Sequence, residues 1–369
     1  MLSSSKLERM LAEPSFADAC RIASEGGYED MSQMDVAGIN AALAAFRAKE
    51  LAENGDLAPD VSVLDLFRMK YGYHNAKVIV KSLGDPEKDA DLLSDAARFT
   101  PEEILEVYQS EAGNGTLPEA YAAAIREAKT ALARTGNPQV SDYILDKAYF
   151  SEQLREAKKS GKPFIEDYVR LQIDKSNLRS ALRTLGMPRR EELLDYALIE
   201  GGTVSVEELR AATDSKEDLQ RLFAPTVFGK AAAAAGMTQF EKEADNAVRD
   251  YVLQSNYLSF GQEVLVEYLS ALENEITSLR IILTGKRMGI PEAKLRDRLR
   301  ESYVSDCGHR QQRQRRRLQG ARPRHLRGGQ RGAGAKDLAR DHETAGRRIR
   351  HHLHRRDGGG ADPAGYPKV

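Results

Sequence analysis

The 369-residue chain predicts an all-α fold on three observations. Apolar residues recur at helical spacing from about Leu7 to Val304. Ala, Leu, Glu, Lys and Arg, all good helix formers, dominate that stretch. Alternating β-branched residues are confined to short runs such as Val78 to Val80. With 41% hydrophobic residues the chain can bury a substantial core.

The elements follow in chain order. An amphipathic run through Tyr73 to Lys81 is closed by Gly84. Thr100-Pro101-Glu102-Glu103 reads as an N-cap with proline at the first helical position and acids in the first turn. A second run from Asp174 is closed by Gly186, and Ser205 opens another helix start, SVEELR. The clearest helix lies near Val264 to Leu283. Leu265, Tyr268, Leu269, Leu272, Ile276, Leu279 and Leu283 fall on one stripe, and Glu267, Glu273, Glu275 and Arg280 fall elsewhere, so that face needs a partner. Gly289 followed by Pro291 ends it.

Three of these segments repeat one another: YHNAKVIVKSLG from Tyr73, DKSNLRSALRTLG from Asp174 and EITSLRIILTGKRMG from Glu275. Aligned on Ala76-Lys77, Leu178-Arg179 and Leu279-Arg280, they lie 102 and 101 residues apart. Asn75 corresponds to Asn177, Lys81 to Arg183, Leu83 to Leu185 and Gly84 to Gly186. Leu182 and Leu283 are again 101 apart, as are Leu92-Leu93 and Leu193-Leu194. A third of 304 residues is itself about 101. The unit is longer than the roughly 20 to 50 residues of solenoid repeats, so three similar helical lobes around an axis are expected, over about residues 1–110, 111–212 and 213–304.

Composition excludes several functions. The longest small or apolar run, around Ala231 to Ala235, is far short of the roughly 18 to 20 residues of a membrane span. The start, MLSSSKLERMLAEPSF, has no apolar core of the signal-peptide kind, so export is not expected. Cys20 and Cys307 make neither a disulfide framework nor a CxxC metal site, which fits a reducing cytoplasm.

Catalytic patterns are also missing. Gly229-Lys230 is followed by Ala231 and Gly285-Lys286 by Arg287, so neither completes a phosphate loop. His74 stands alone in the first 304 residues and reads as a structural histidine hydrogen-bonded near a helix. Glu102-Glu103 and Glu207-Glu208 sit at helix starts, where dipole compensation accounts for them. Tyr143, Tyr149, Tyr251 and Tyr257, in DYILDKAYF and DYVLQSNYL, read as helix packing. No catalytic, cofactor-binding or metal-binding residue is assigned, and no cofactor is expected.

Residues 1 to 304 resemble the C subunit of prokaryotic V/A-type ATP synthases, the counterpart of the d subunit of eukaryotic V-type ATPases. The motifs are YLSALENEITSLRIILTGKRMGIPEAKLRDRLRESYV (Tyr268 to Val304), DYILDKAYF (Asp142 to Phe150) and YHNAKVIVK (Tyr73 to Lys81). The resemblance implies an all-helical funnel of three pseudo-threefold-related lobes. It also implies a non-catalytic central-stalk (rotor) subunit, peripheral on the cytoplasmic face of the membrane. Its partners would be the proteolipid ring and the central shaft subunits D and F, in proton- or sodium-coupled ATP synthesis or hydrolysis. Two other functions remain open to the sequence: a helical scaffold for unrelated proteins, and nucleic-acid binding through the C-terminal region. The first 304 residues carry 38 Lys+Arg against 50 Asp+Glu, which disfavours nucleic acid as their ligand.

Residues 305–369 differ in kind. They carry 17 Lys+Arg against 6 Asp+Glu, six of the seven histidines and one aromatic residue, Tyr366. No core is expected of them, and a disordered basic tail is predicted. Its His351, His352 and His354 have a ligand count suited to metal, but sit in a segment whose composition fits a frameshift. Arginine codons of the CGN type read one base later give Val, Ala, Asp, Glu or Gly. Allowed codons for Cys307 to Arg331 then permit AVIGNRDSVVGFKALGLDTFAVDS, and Gly346 to Arg356 permit GDEYGIIYIAE, which resemble the small F subunit of the same rotary complexes.

Overall fold

A computed structural model describes residues 1–57, 61–85, 87–110, 117–257 and 261–304, all within the compact unit Met1–Arg313. The expectations for the tail, for Cys307 and for His351, His352 and His354 lie outside the described residues.

Among the described residues all regular structure is helical, as the periodicity predicts. The helices are α1 (Ser4–Ala12), α2 (Phe16–Ser24), α3 (Val36–Leu57), α4 (Val61–Lys81), α5 (Pro101–Gln109), α6 (Glu119–Thr135), α7 (Pro138–Lys159) and α8 (Pro163–Thr184). There follow α9 (Arg190–Ala197), α10 (Val206–Ala211), α11 (Lys216–Phe223), α12 (Gly229–Ala232), α13 (Met237–Val252), α14 (Gln262–Arg287) and α15 (Glu292–Arg298). Val78 to Val80 belong to α4, where packing overrides their strand preference.

Local chemistry sets many of the boundaries. Ser3, Ser15, Asn137 and Ser215 cap α1, α2, α7 and α11 by accepting a backbone N–H of the first turn. Pro101, Pro138 and Pro163 stand at the first position of α5, α7 and α8, where the missing N–H has no partner to lose. The repeat helices α4, α8 and α14 are followed by Gly84, Gly186 and Gly289 at φ of 77°, 75° and 69°, the left-handed conformation that ends a helix and favours glycine.

The repeat is structural as well as sequential. Buried Asn75 donates from Nδ2 to the Ser94 carbonyl (3.0 Å) and accepts the Ser94 N–H at Oδ1 (2.8 Å). Asn177 does the same with both backbone groups of Ile199, at 2.8 Å each. Each asparagine thus fixes the chain that returns after its helix. The corresponding residue on α14 is Ser278, too short for the task, and its buried hydroxyl has no hydrogen-bond partner among the described residues. Two other asparagines grip the returning chain there: Asn246 accepts the Glu301 N–H (2.9 Å) and Asn274 donates to the Glu301 carbonyl (3.1 Å).

Three hydrophobic cores form among the described residues, from segments far apart in the chain. One joins Leu2 to Leu43 with Leu272 to Leu299, one runs from Tyr73 to Leu145, and one joins Leu51 to Tyr71 with Phe150 to Leu269. The Ser4 N–H also donates to the Val304 carbonyl (3.2 Å), tying the first helix to the end of the described chain.

On α14 the structure departs from the single stripe. Glu275 is buried and receives the Leu2 N–H at 2.5 Å and the Tyr28 hydroxyl at 2.9 Å. The helix packs against α1, α2, α3, α4, α8, α13 and α15, so it is enclosed on most sides and one polar residue lies within a contact.

A central cavity as the candidate functional site

The inner faces of α3, α4, α7, α8, α13 and α14, with Ala90 to Asp95, Arg300 and Tyr303, surround a cavity of about 2010 Å³. The three repeat helices meet it in register. Lys70, His74 and Lys77 of α4 correspond to Gln172, Ser176 and Arg179 of α8 and to Glu273, Thr277 and Arg280 of α14, and all nine line it. Spacings of four and three keep each trio on one helix face.

Helix pairs supply the charge. On α7, which runs antiparallel to α4, Asp146 meets Lys77 at 2.6 Å and Asp142 meets Lys81 at 3.2 Å. On α13, antiparallel to α8, Asp245 meets Lys175 at 2.5 Å, and Glu241 takes both Nε and Nη2 of Arg179 at 2.7 Å, a bidentate pair. Asp245 also accepts from Arg300 at 2.8 Å. Burial opposes its ionisation, but Lys175 and Arg300 outweigh that and hold its pKa at about 2.

Glu273 of α14 is the third centre. It receives the Tyr71 hydroxyl and lies 3.3 Å from Arg47 and 3.4 Å from Lys70. Burial again raises its pKa, and Lys70 with Arg47 more than offsets this, so the carboxyl stays below its ordinary range. Arg280 is different: burial first, and the Arg47 charge second, push its pKa down.

His74 opens onto the cavity and donates from Nε2 to the Leu92 carbonyl at 2.8 Å, the structural bond expected of it. Glu103 and Glu208 close capping boxes with Thr100 and Ser205, each side chain accepting the N-cap N–H while the cap hydroxyl accepts the glutamate N–H. Gly229-Lys230 opens the four-residue α12. Gly285-Lys286 lies in the last turn of α14, where Lys286 donates to the Glu13 carbonyl. Tyr143 accepts from Gln139 (2.7 Å), Tyr149 lies against Tyr73 and Phe150, and Tyr251 donates to the Phe164 carbonyl (2.9 Å) while stacking on its ring. The side chain of Tyr257 lies outside the described residues. Cys20 is a buried free thiol, pushed up to about 11 by burial.

The acids facing the cavity escaped the sequence reading. A signal existed: acidic pairs four apart, Asp142/Asp146 and Glu241/Asp245, match basic pairs four apart, Lys77/Lys81 and Lys175/Arg179, but the pairing becomes visible only once the helices are docked.

Among the described residues no helix is long and apolar enough to cross a membrane. The profile of the family described as ATP synthase (C/AC39) subunit matches residues 1–298. The chain is also similar to the C subunit of the V-type sodium ATPase of Enterococcus hirae, 22% identical over 262 residues that cover 67% of this chain and 77% of that relative.

Proposed function

Because the chain belongs to the ATP synthase (C/AC39) subunit family, we propose that it is a non-catalytic central-stalk component of a rotary V/A-type complex, which joins the central shaft to the proteolipid ring during proton or sodium transport. The observation that carries this reading is the convergence of the three repeat helices, residue for residue, on one central cavity. At about 2010 Å³ the cavity exceeds the roughly 300 to 1,000 Å³ of small-molecule sites, and a protein segment is the occupant that fits such a volume. The shaft, built of subunits D and F, is that occupant, and the ring binds elsewhere on the same body at the cytoplasmic membrane surface.

The fold suits torque transfer. Three lobes, each contributing one of α4, α8 and α14 to the cavity wall, form a funnel whose close-packed helices transmit strain rather than absorb it. The cross-helix pairs Lys77–Asp146, Lys175–Asp245 and Arg179–Glu241 lace that wall together. Mixing the full chain with purified proteolipid ring and shaft subunits tests the role. A complex holding both is the expected result, and a chain that recovers neither would overturn it.

A further inference from the structure

Seven Lys and Arg side chains among the described residues line the cavity, and six lie in ion pairs with carboxylates. Arg280 is the exception. Its repeat counterparts are paired, Lys77 with Asp146 and Arg179 with Glu241, yet among the described residues its guanidinium meets no carboxylate within ion-pair distance and its buried Nε has no hydrogen-bond partner.

The reason lies in the helix opposite. α7 and α13 bring acids to the cations of α4 and α8, whereas the helix packed on α14 at this place is α3. Toward the cavity α3 presents Ala37, Gly38, Ala41, Ala44 and Ala45, small side chains that carry no carboxylate. Beside them, Asn40 has a buried Oδ1 without a partner. Arg47, further along α3, adds repulsion, which the weaker attraction of Glu273 offsets only in part.

Resting on the shaft-socket reading above, we infer that Arg280 is the receptor for a carboxylate borne by the inserted shaft, which enters over the small-residue face of α3 and completes the set of ion pairs at the repeat-equivalent cations Lys77, Arg179 and Arg280. The two intact sites show the form of the missing ligand: an aspartate or glutamate carried on a helix. A small anion would neutralise the cation but leave the space beside α3 unfilled.

The test uses the full chain and purified shaft subunits D and F. Arg280→Met keeps the stem and removes the charge. It is expected to weaken shaft binding about tenfold or more and to flatten its salt dependence. It should leave the thermal midpoint of the chain alone unchanged or raised, because an unpaired, half-buried charge is lost. Arg280→Lys should retain most of the binding. Reversing single shaft acids to lysine should identify one position whose defect Arg280→Glu rescues. As a control, Lys77→Met should lower the midpoint, since it leaves Asp146 unpaired. If the unmodified chain fails to bind the shaft, the shaft-socket reading itself falls. If that chain binds while Arg280→Met binds equally tightly with the same salt slope, only the Arg280 inference is overturned. Displacement of the shaft by inorganic phosphate from the unmodified chain but not from Arg280→Met would also overturn it, in favour of a small-anion site.

Discussion

Asp245 sits between Lys175 at 2.5 Å and Arg300 at 2.8 Å, so one carboxylate joins α8, α13 and the chain beyond α15. Its folded pKa of about 2 lies below its ordinary value of 3.8. The folded state therefore binds the proton less readily than the unfolded state. The stabilisation is complete above about pH 4 and is lost as pH falls through 2, and its size at neutral pH is about 2 kcal/mol. Asp245→Asn is expected to lose about that much in urea unfolding at pH 7, with the difference from the parent chain vanishing toward pH 2. Equal stability at pH 7 would refute the assignment. Nothing local marks Asp245: it is one acid among several in EKEADNAVRD, and its partners lie 70 and 55 residues away.

Helix ends were more legible than helix faces. Thr100 and Ser205 announce α5 and α10 because a capping box is completed within four residues. Gly84 is legible as a stop for the same local reason, but its surroundings are not. Its φ of 77° is left-handed, and a Cβ there would stand 2.5 Å from the Tyr108 ring, a neighbour supplied by α5. Gly136, closing α6 at φ 62°, faces open space. Gly136→Ala should cost about 1 to 2 kcal/mol, the strain of a left-handed alanine. Gly84→Ala should cost clearly more, because Tyr108 must also move. Denaturant midpoints at unchanged m-value compare the two, and equal losses would deny the Tyr108 contact any weight. The faces of α14 misled for the opposite reason. A one-stripe pattern presumes one buried side, and a helix enclosed by seven others has no single polar face on which to leave Glu275.

At the scale of the whole molecule, the family profile spans residues 1–298, and the cores and the cavity among the described residues draw on that same stretch and its continuation to Tyr303. Removing residues 305–369 is accordingly expected to leave the calorimetric unfolding midpoint of the remainder unchanged, together with the recovery of ring and shaft subunits that the proposed role requires. Loss of either would assign the basic segment a part in stability or assembly. Helicity, the caps and the period of about 101 residues were readable from the chain because hydrogen bonding of first turns and apolar spacing are local properties repeated along it. Which charges pair, where a cavity opens and why Arg280 is left without an acid were decided only by docking helices. Lys77 and Asp146 are 69 residues apart, and their meeting, like the missing third pair opposite α3, is a consequence of packing that no local pattern encodes.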